Sequence, residues 1–212
     1  MTTKFSSKTS KNFNIWRKVF QYIACNWVIV HIFQSKYNLL KPEGLNNIDK
    51  NKKYIVASNH ITGFDPFIIA SCLHLTIAYM AKKQLFETFW SMLLMDWCGA
   101  FAVDREKVDV STIKTALSIQ KTSWHLGLFP QGTRCNNGKL ENLTKGFTLM
   151  SKKLKADVLP VAIIVRDNPN SKKKDCIIKV GNPISYNYNA DEMLDKWADT
   201  LCNLAELEYI PS

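Results

Sequence analysis

The stretch VASNHITGFDPF, residues 56–67, passes from an apolar run through a polar loop into an Asp-Pro pair. Its apolar start belongs to Tyr54–Ser58, a short β-rich run. Asp65 before Pro66 marks a helix start, with Asp65 as the cap, Pro66 at the first position and the helix running to Leu75. A strand that yields to a helix across one short loop is the building unit of an α/β layered fold. The same alternation continues outward. Thr76–Ala81, Ala100–Val103, Leu126–Phe129, Val158–Val165 and Ile177–Val180 read as strands. Phe86–Cys98, dense in Trp, Leu and Met, reads as a buried or membrane-facing helix. Ser111–Trp124, Lys145–Lys155 and Asp191–Glu208 read as further helices.

Within the opening loop, His60 and Asp65 are awkwardly spaced for regular structure. On a helix they are offset by about 140°, and on a strand they face opposite sides. Contact between them requires a turn, for which Gly63 supplies backbone freedom. Two readings stand. In one, the carboxylate accepts a hydrogen bond from one imidazole nitrogen and leaves the other as a base for a hydroxyl. In the other, Asp65 only caps a helix and His60 is an ordinary loop residue. No G-x-S-x-G nucleophile motif occurs, so a basic His60 would act on a nucleophile brought by the substrate.

A second loop, LFPQGTRCNNGKL at residues 128–140, also follows an apolar run. Gly132 permits close approach of an anion to backbone N–H groups, Thr133 offers a hydroxyl, and Arg134 can grip a phosphate with two parallel hydrogen bonds. A plain surface turn is the alternative. GAFAVDR, residues 99–105, ends in Asp104 and Arg105, which read equally as a surface ion pair.

Composition narrows the partner classes. The chain has 212 residues, 46% of them hydrophobic and 22% charged, which excludes a disordered chain. Its net charge of +10 calls for an anionic partner: nucleic acid, a membrane surface or a phosphorylated substrate. The lysines are dispersed and no zinc-finger, RNA-recognition or helix-turn-helix signature accompanies them, which weighs against nucleic acid. Six scattered cysteines without a C-x-x-C pair fit reduced core thiols. Residues 1–42 hold seven basic side chains and no acidic one. Inside them, Val19–Phe33 would form a helix of only ~22 Å, short of a ~30 Å hydrocarbon core. The segment therefore reads as lying in an anionic membrane interface or as a core helix with a basic tail, joined to the domain at Lys41–Gly44.

Taken together and in order, these motifs resemble the glycerophospholipid acyltransferase family, in particular the 1-acylglycerol-3-phosphate acyltransferases. Asn59, His60 and Asp65 match N-H-x-x-x-x-D, Gly99–Arg105 the second block, and Phe129–Arg134 the third, F-P-E-G-T-R, followed by Gly138 and Lys145-Gly146. Val158–Ile163 resembles the fourth, and VGNPI at Val180–Ile184 a familiar strand ending. The resemblance implies a single α/β domain over residues 43–212, with a central mixed β-sheet flanked by helices, and a membrane-interfacial helical segment over residues 1–42. It implies His60 as general base, Asp65 as its orienting group, and Arg134, Gly132, Thr133 and Arg105 around the acceptor's phosphate, with Asn59, Gln131 and Lys145 also at the substrate. The acceptor would be lysophosphatidic acid and the co-substrate acyl-CoA or acyl-ACP (acyl carrier protein), with no metal or redox cofactor, at the cytoplasmic face of a bacterial inner membrane. Glycerol 3-phosphate or another lysophospholipid as acceptor, or a catalytically silent lipid-binding protein, are the competing expectations. Gln131 departs from the motif's glutamate, and Cys135 stands where Ser is common. Gln131→Glu is expected to leave turnover within about tenfold, or ~1.4 kcal/mol of barrier.

Overall fold

A computed structural model describes residues 7–103, 110–134 and 138–210; Lys4, Asp104, Arg105, Lys107 and Cys135 lie outside them. The strand that opens the site, β2 (Tyr54–Ser58), is buried along its whole length. It lies in the middle of a seven-stranded sheet of order β1-β8-β7-β2-β5-β3-β4. The others are β1 (Tyr37–Leu39), β3 (Ile77–Lys82), β4 (Phe101–Val103), β5 (His125–Leu128), β7 (Asp157–Arg166) and β8 (Lys174–Val180). Every neighbouring pair is parallel except β7 with β8, so the sheet is mixed. A small pair, β6 (Lys139–Leu140) with β9 (Glu208–Tyr209), sits apart. A central parallel strand has helices on both faces, which is why Tyr54–Ser58 is continuously apolar rather than alternating.

Alternate residues of β2 feed two cores. Ile55 and Ala57 pack with α5 (Val110–Gln120), α6 (Gly146–Leu154) and α7 (Ala190–Ala205). Tyr54 and Val56 pack with α3 (Asp65–Leu73) and with the N-terminal segment. That segment is α1 (Ile15–Ile23), a π-helical stretch (Ala24–Ile29) and α2 (Val30–Gln34). It turns Cys25, Ile29 and Phe33 into the core and leaves Trp16, Tyr22, Trp27 and Ile32 exposed, Trp16 by 72%. Of the segment Phe86–Cys98, Phe86 closes a 3₁₀ turn (Lys83–Phe86) and most of the rest forms α4 (Phe89–Trp97), which has no buried residue and exposes Phe89 and Trp90.

The boundary at residue 42 does not separate an appendage from a domain. β1 pairs with β8, and Gln21, which interrupts the apolar run, is buried and bridges two elements. Its amide nitrogen donates to the carbonyls of Ile77 and Cys98, both at 2.7 Å, while its oxygen accepts the Ile77 N–H. Asp96 on α4 pairs with Lys8 at 2.7 Å and Arg17 at 2.6 Å. Burial pulls the Lys8 amine down to about 8 against the attraction of Asp96. Residues 7–34 are thus strapped onto α4 and β3.

The described cysteines are free. Burial pushes the thiols of Cys25, Cys72 and Cys176 up to about 12, which keeps them inert.

His125 opens β5, and its Nδ1 accepts the Tyr54 N–H at 3.2 Å. Burial, with the charges of Lys53 and Lys18, pulls this imidazole from its ordinary 6.5 to about 4. Between those values the unfolded chain binds a proton that the folded chain refuses. Stability is therefore complete above pH 6.5 and falls as pH drops toward 4, by roughly 3 kcal/mol. Urea midpoints across this range should show the loss. His125→Asn, whose side-chain oxygen can accept the same N–H, should remove most of that slope, and an unchanged slope would refute the assignment.

Candidate active site

The loops after β2, β3 and β5 meet at the carboxyl ends of the strands, where ligands bind in open α/β sheets. His60 lies just beyond β2. Its Nδ1 is 2.6 Å from Asp65 Oδ2. The same oxygen accepts the N–H groups of Ile61 at 2.6 Å and Thr62 at 2.9 Å, and Oδ1 accepts the Thr62 hydroxyl at 2.6 Å. The expected cap is therefore corrected. Asp65 is the first residue inside α3, and its carboxylate faces back into the loop. The helix instead closes on the Phe64 carbonyl, which accepts from Phe67 and Ile68. Asp65, whose side chain is 2% exposed, takes the Nδ1 edge of the ring and leaves Nε2 as the free ring nitrogen.

Phe129, one residue past β5, stacks on the His60 ring at 4.0 Å and 15° and fixes its plane. The chain then turns at Pro130-Gln131, with the Gly132 N–H returning to the Phe129 carbonyl at 2.9 Å. Gly132 has φ +69°, a conformation that other residues adopt only with strain. Gly63 differs from expectation. It has no positive φ, and a Cβ there would meet nothing within 4 Å. It contributes open space, since it lines the cavity that His60 faces.

That cavity, about 380 Å³, is also lined by Gly132, Thr133 and Arg134. The loop groups singled out in the sequence therefore come together with His60. Lys82, at the exposed end of β3, joins them and was not assigned to the site from sequence. Neither Lys82 nor Arg134 forms an ion pair among the described residues, so the cavity is lined by two cations not engaged with an acid there. Its remaining wall, from Phe67, Tyr79, Leu85, Met95, Cys98 and Ala100, is mostly apolar. A second cavity of about 460 Å³ shares Met80, Phe129 and Gly132 with the first and lies on the α5–α6 side of the sheet.

Three expected site residues point elsewhere. Asn59 is buried and its amide pairs with the Ile163 backbone in both directions, at 2.9 and 2.8 Å. It ties the end of β2 to β7 just before His60. Lys145 is exposed and pairs with Asp191 at 2.5 Å. Gln131 is buried, and its amide nitrogen lies 3.5 Å from the Lys139 carbonyl. A glutamate there could not donate to that carbonyl. Gln131 is not among the residues that line the cavity, so Gln131→Glu is still expected to stay within about tenfold, checked by kcat/KM of the two proteins side by side. A collapse of turnover would refute it. Arg105 lies outside the described residues.

Comparison with known proteins adds three observations. The family model described as Acyltransferase matches residues 40–164. A 1-acyl-sn-glycerol-3-phosphate acyltransferase of Streptococcus pneumoniae is 28% identical over 174 residues, covering 77% of this chain and 63% of that protein. The Bacillus subtilis protein of the same name is 31% identical over 129 residues, covering 60% of this chain and 62% of its own. The chain thus spans just under two thirds of the length of these curated relatives. The crystal structure of the 1-acyl-sn-glycerophosphate (LPA) acyltransferase from Thermotoga maritima superposes with a TM-score of 0.67 at 20% identity, over 89% of this chain and 81% of that one, and so shares the fold. The family match runs over more than half of the chain and takes in both loops that carry His60, Asp65 and Arg134; this protein belongs to the acyltransferase family.

Proposed function

We propose that the protein transfers an acyl chain from a thioester to the free hydroxyl of 1-acylglycerol 3-phosphate, giving phosphatidic acid. The observation that carries this reading is the 2.6 Å His60–Asp65 contact in a cavity shared with Arg134 and Lys82. An oriented base and two cations suit an acceptor that has both a hydroxyl and a phosphate. The names of the relatives point to the same acceptor.

In this mechanism His60 Nε2 takes the proton of the sn-2 hydroxyl as its oxygen attacks the thioester carbonyl. Asp65 stabilises the imidazolium that forms. The tetrahedral intermediate expels the thiolate, which receives the proton back from His60, leaving phosphatidic acid and a free thiol. Arg134, with Lys82 and the N–H groups near Gly132, neutralises the acceptor's phosphate. The donor is acyl-CoA or acyl-ACP, and no step calls on a metal or redox cofactor.

The reaction belongs at a membrane surface. No helix among the described residues is long and apolar enough to cross a bilayer. The exposed Trp16, Trp27, Phe89 and Trp90 on α1, the π-helical stretch and α4 instead suit insertion into the interface of an anionic leaflet. By family resemblance this is the cytoplasmic face of a bacterial inner membrane. The test is thiol release from palmitoyl-CoA and from palmitoyl-ACP, with lysophosphatidic acid, glycerol 3-phosphate or no acceptor. Release that requires lysophosphatidic acid supports the reading. Release only with glycerol 3-phosphate, or none with any acceptor, overturns it.

A further inference from the structure

Between residues 110 and 156 the chain carries eight basic side chains and one acidic one, Glu141. Helices α5 and α6 lie in this interval and pack side by side, the Gln120 amide donating to the Leu154 carbonyl at 3.1 Å. Lys114, Lys121, Lys153 and Lys155 are all exposed here, and none of them pairs with an acid among the described residues. Lys145 is the exception at the border, where it meets Asp191 on α7. The exposed Asp191, Asp195 and Asp199 make the neighbouring helix face acidic. Two leucines, Leu117 and Leu149, are exposed among the lysines.

This face lies on the side of the sheet opposite α1, the π-helical stretch and α2. With that segment in the membrane interface, α5 and α6 turn toward the aqueous phase. Their charge is then available to a soluble partner. Beneath them lies the second cavity, bounded by Leu128, Phe147 and Met150 and reaching the surface at Leu149 and Lys153. An apolar chamber under a basic, leucine-bearing surface suits an acidic protein that brings an acyl chain.

We infer that the α5–α6 face is the docking surface for an acidic carrier protein bearing the acyl thioester. The inference rests on the proposed acyl transfer and assigns the donor within it. Positive charge on α5 and α6 steers the carrier onto this face, and the acidic α7 keeps it from the neighbouring one, since charge complementarity raises the association rate and like charge disfavours wrong poses.

The experiment replaces Lys114, Lys121 and Lys155 together by Glu, and separately by Gln to remove charge without reversing it. Binding of labelled acyl carrier protein is read by fluorescence anisotropy without acceptor, at low and high salt. KM is measured for palmitoyl-ACP and palmitoyl-CoA, and co-sedimentation with phosphatidylglycerol vesicles is followed in parallel. The expected result is carrier affinity at least tenfold weaker in the Glu variant, intermediate in the Gln variant and levelled by salt. KM should rise for palmitoyl-ACP only, with melting temperature and vesicle binding unchanged. Unchanged carrier affinity overturns the inference. So does a parallel rise in both KM values, which would assign the lysines to coenzyme A phosphates, or a loss of vesicle binding, which would assign the face to the membrane. Lowered melting without donor discrimination would leave the lysines a purely structural role at the helix ends. Carrier binding by a wild type that transfers no acyl group would instead refute the proposed reaction and leave the docking surface standing.

Discussion

His60→Ala should lower acceptor-dependent thiol release by on the order of 10³-fold or more, the usual scale for loss of a positioned general base. On the proposed reaction the effect should fall on kcat rather than KM, because acceptor binding is assigned to Arg134 and Lys82, which line the same cavity, and not to His60. Stability should change little. The ring is on a loop and loses one stacking contact with Phe129 and one hydrogen bond with Asp65. Equal release by a folded variant and the wild type would show that the hydroxyl is activated elsewhere.

Asp65→Asn separates the two readings that the sequence leaves open. Asparagine caps helices as well as aspartate does, so a mere cap would tolerate the change. In the structure the carboxylate receives four donors and caps nothing downstream. The amide can offer only one oxygen to them and turns an NH₂ group toward the other side. Turnover should fall by about 10³–10⁴-fold, as expected when the imidazole loses the partner that holds its tautomer. Unfolding free energy should fall by roughly 2–4 kcal/mol, because buried donors are left unpaired. A variant with unaltered kcat and urea midpoint would return Asp65 to the role of an ordinary helix-start residue.

What the sequence reveals follows the range of the interactions. Strand β2, helix α3 and the His60–Asp65 contact are legible because their determinants lie within one loop and its flanks, where Gly, Asp and Pro punctuate the chain. The long strand β7 is legible from its apolar run. Strands β1, β6 and β9, two or three residues each, carry no local signal and exist through their pairing partners. Gln21 reads as a flaw in an apolar helix, because its partners at Ile77 and Cys98 are more than fifty residues away. The same limit hides Lys82, which lines one cavity with Arg134 only when β3 and β5 become neighbours. Motif membership alone placed Asn59, Gln131 and Lys145 at the substrate. Their hydrogen bonds show that a residue can belong to a motif by holding up its loop.

The strap made by Lys8, Arg17 and Gln21 has a practical consequence for anyone wanting a form of the protein with a less apolar surface. Trimming the chain back to the first long strand would remove Gln21 from the cavity lining and leave Asp96 without either cation. A more polar surface has to come from repainting. Ile15, Trp16, Val19, Tyr22, Ile23 and Trp27 all face outward, so polar replacements there would alter the coat and leave intact the inward-facing residues that brace the cavity wall.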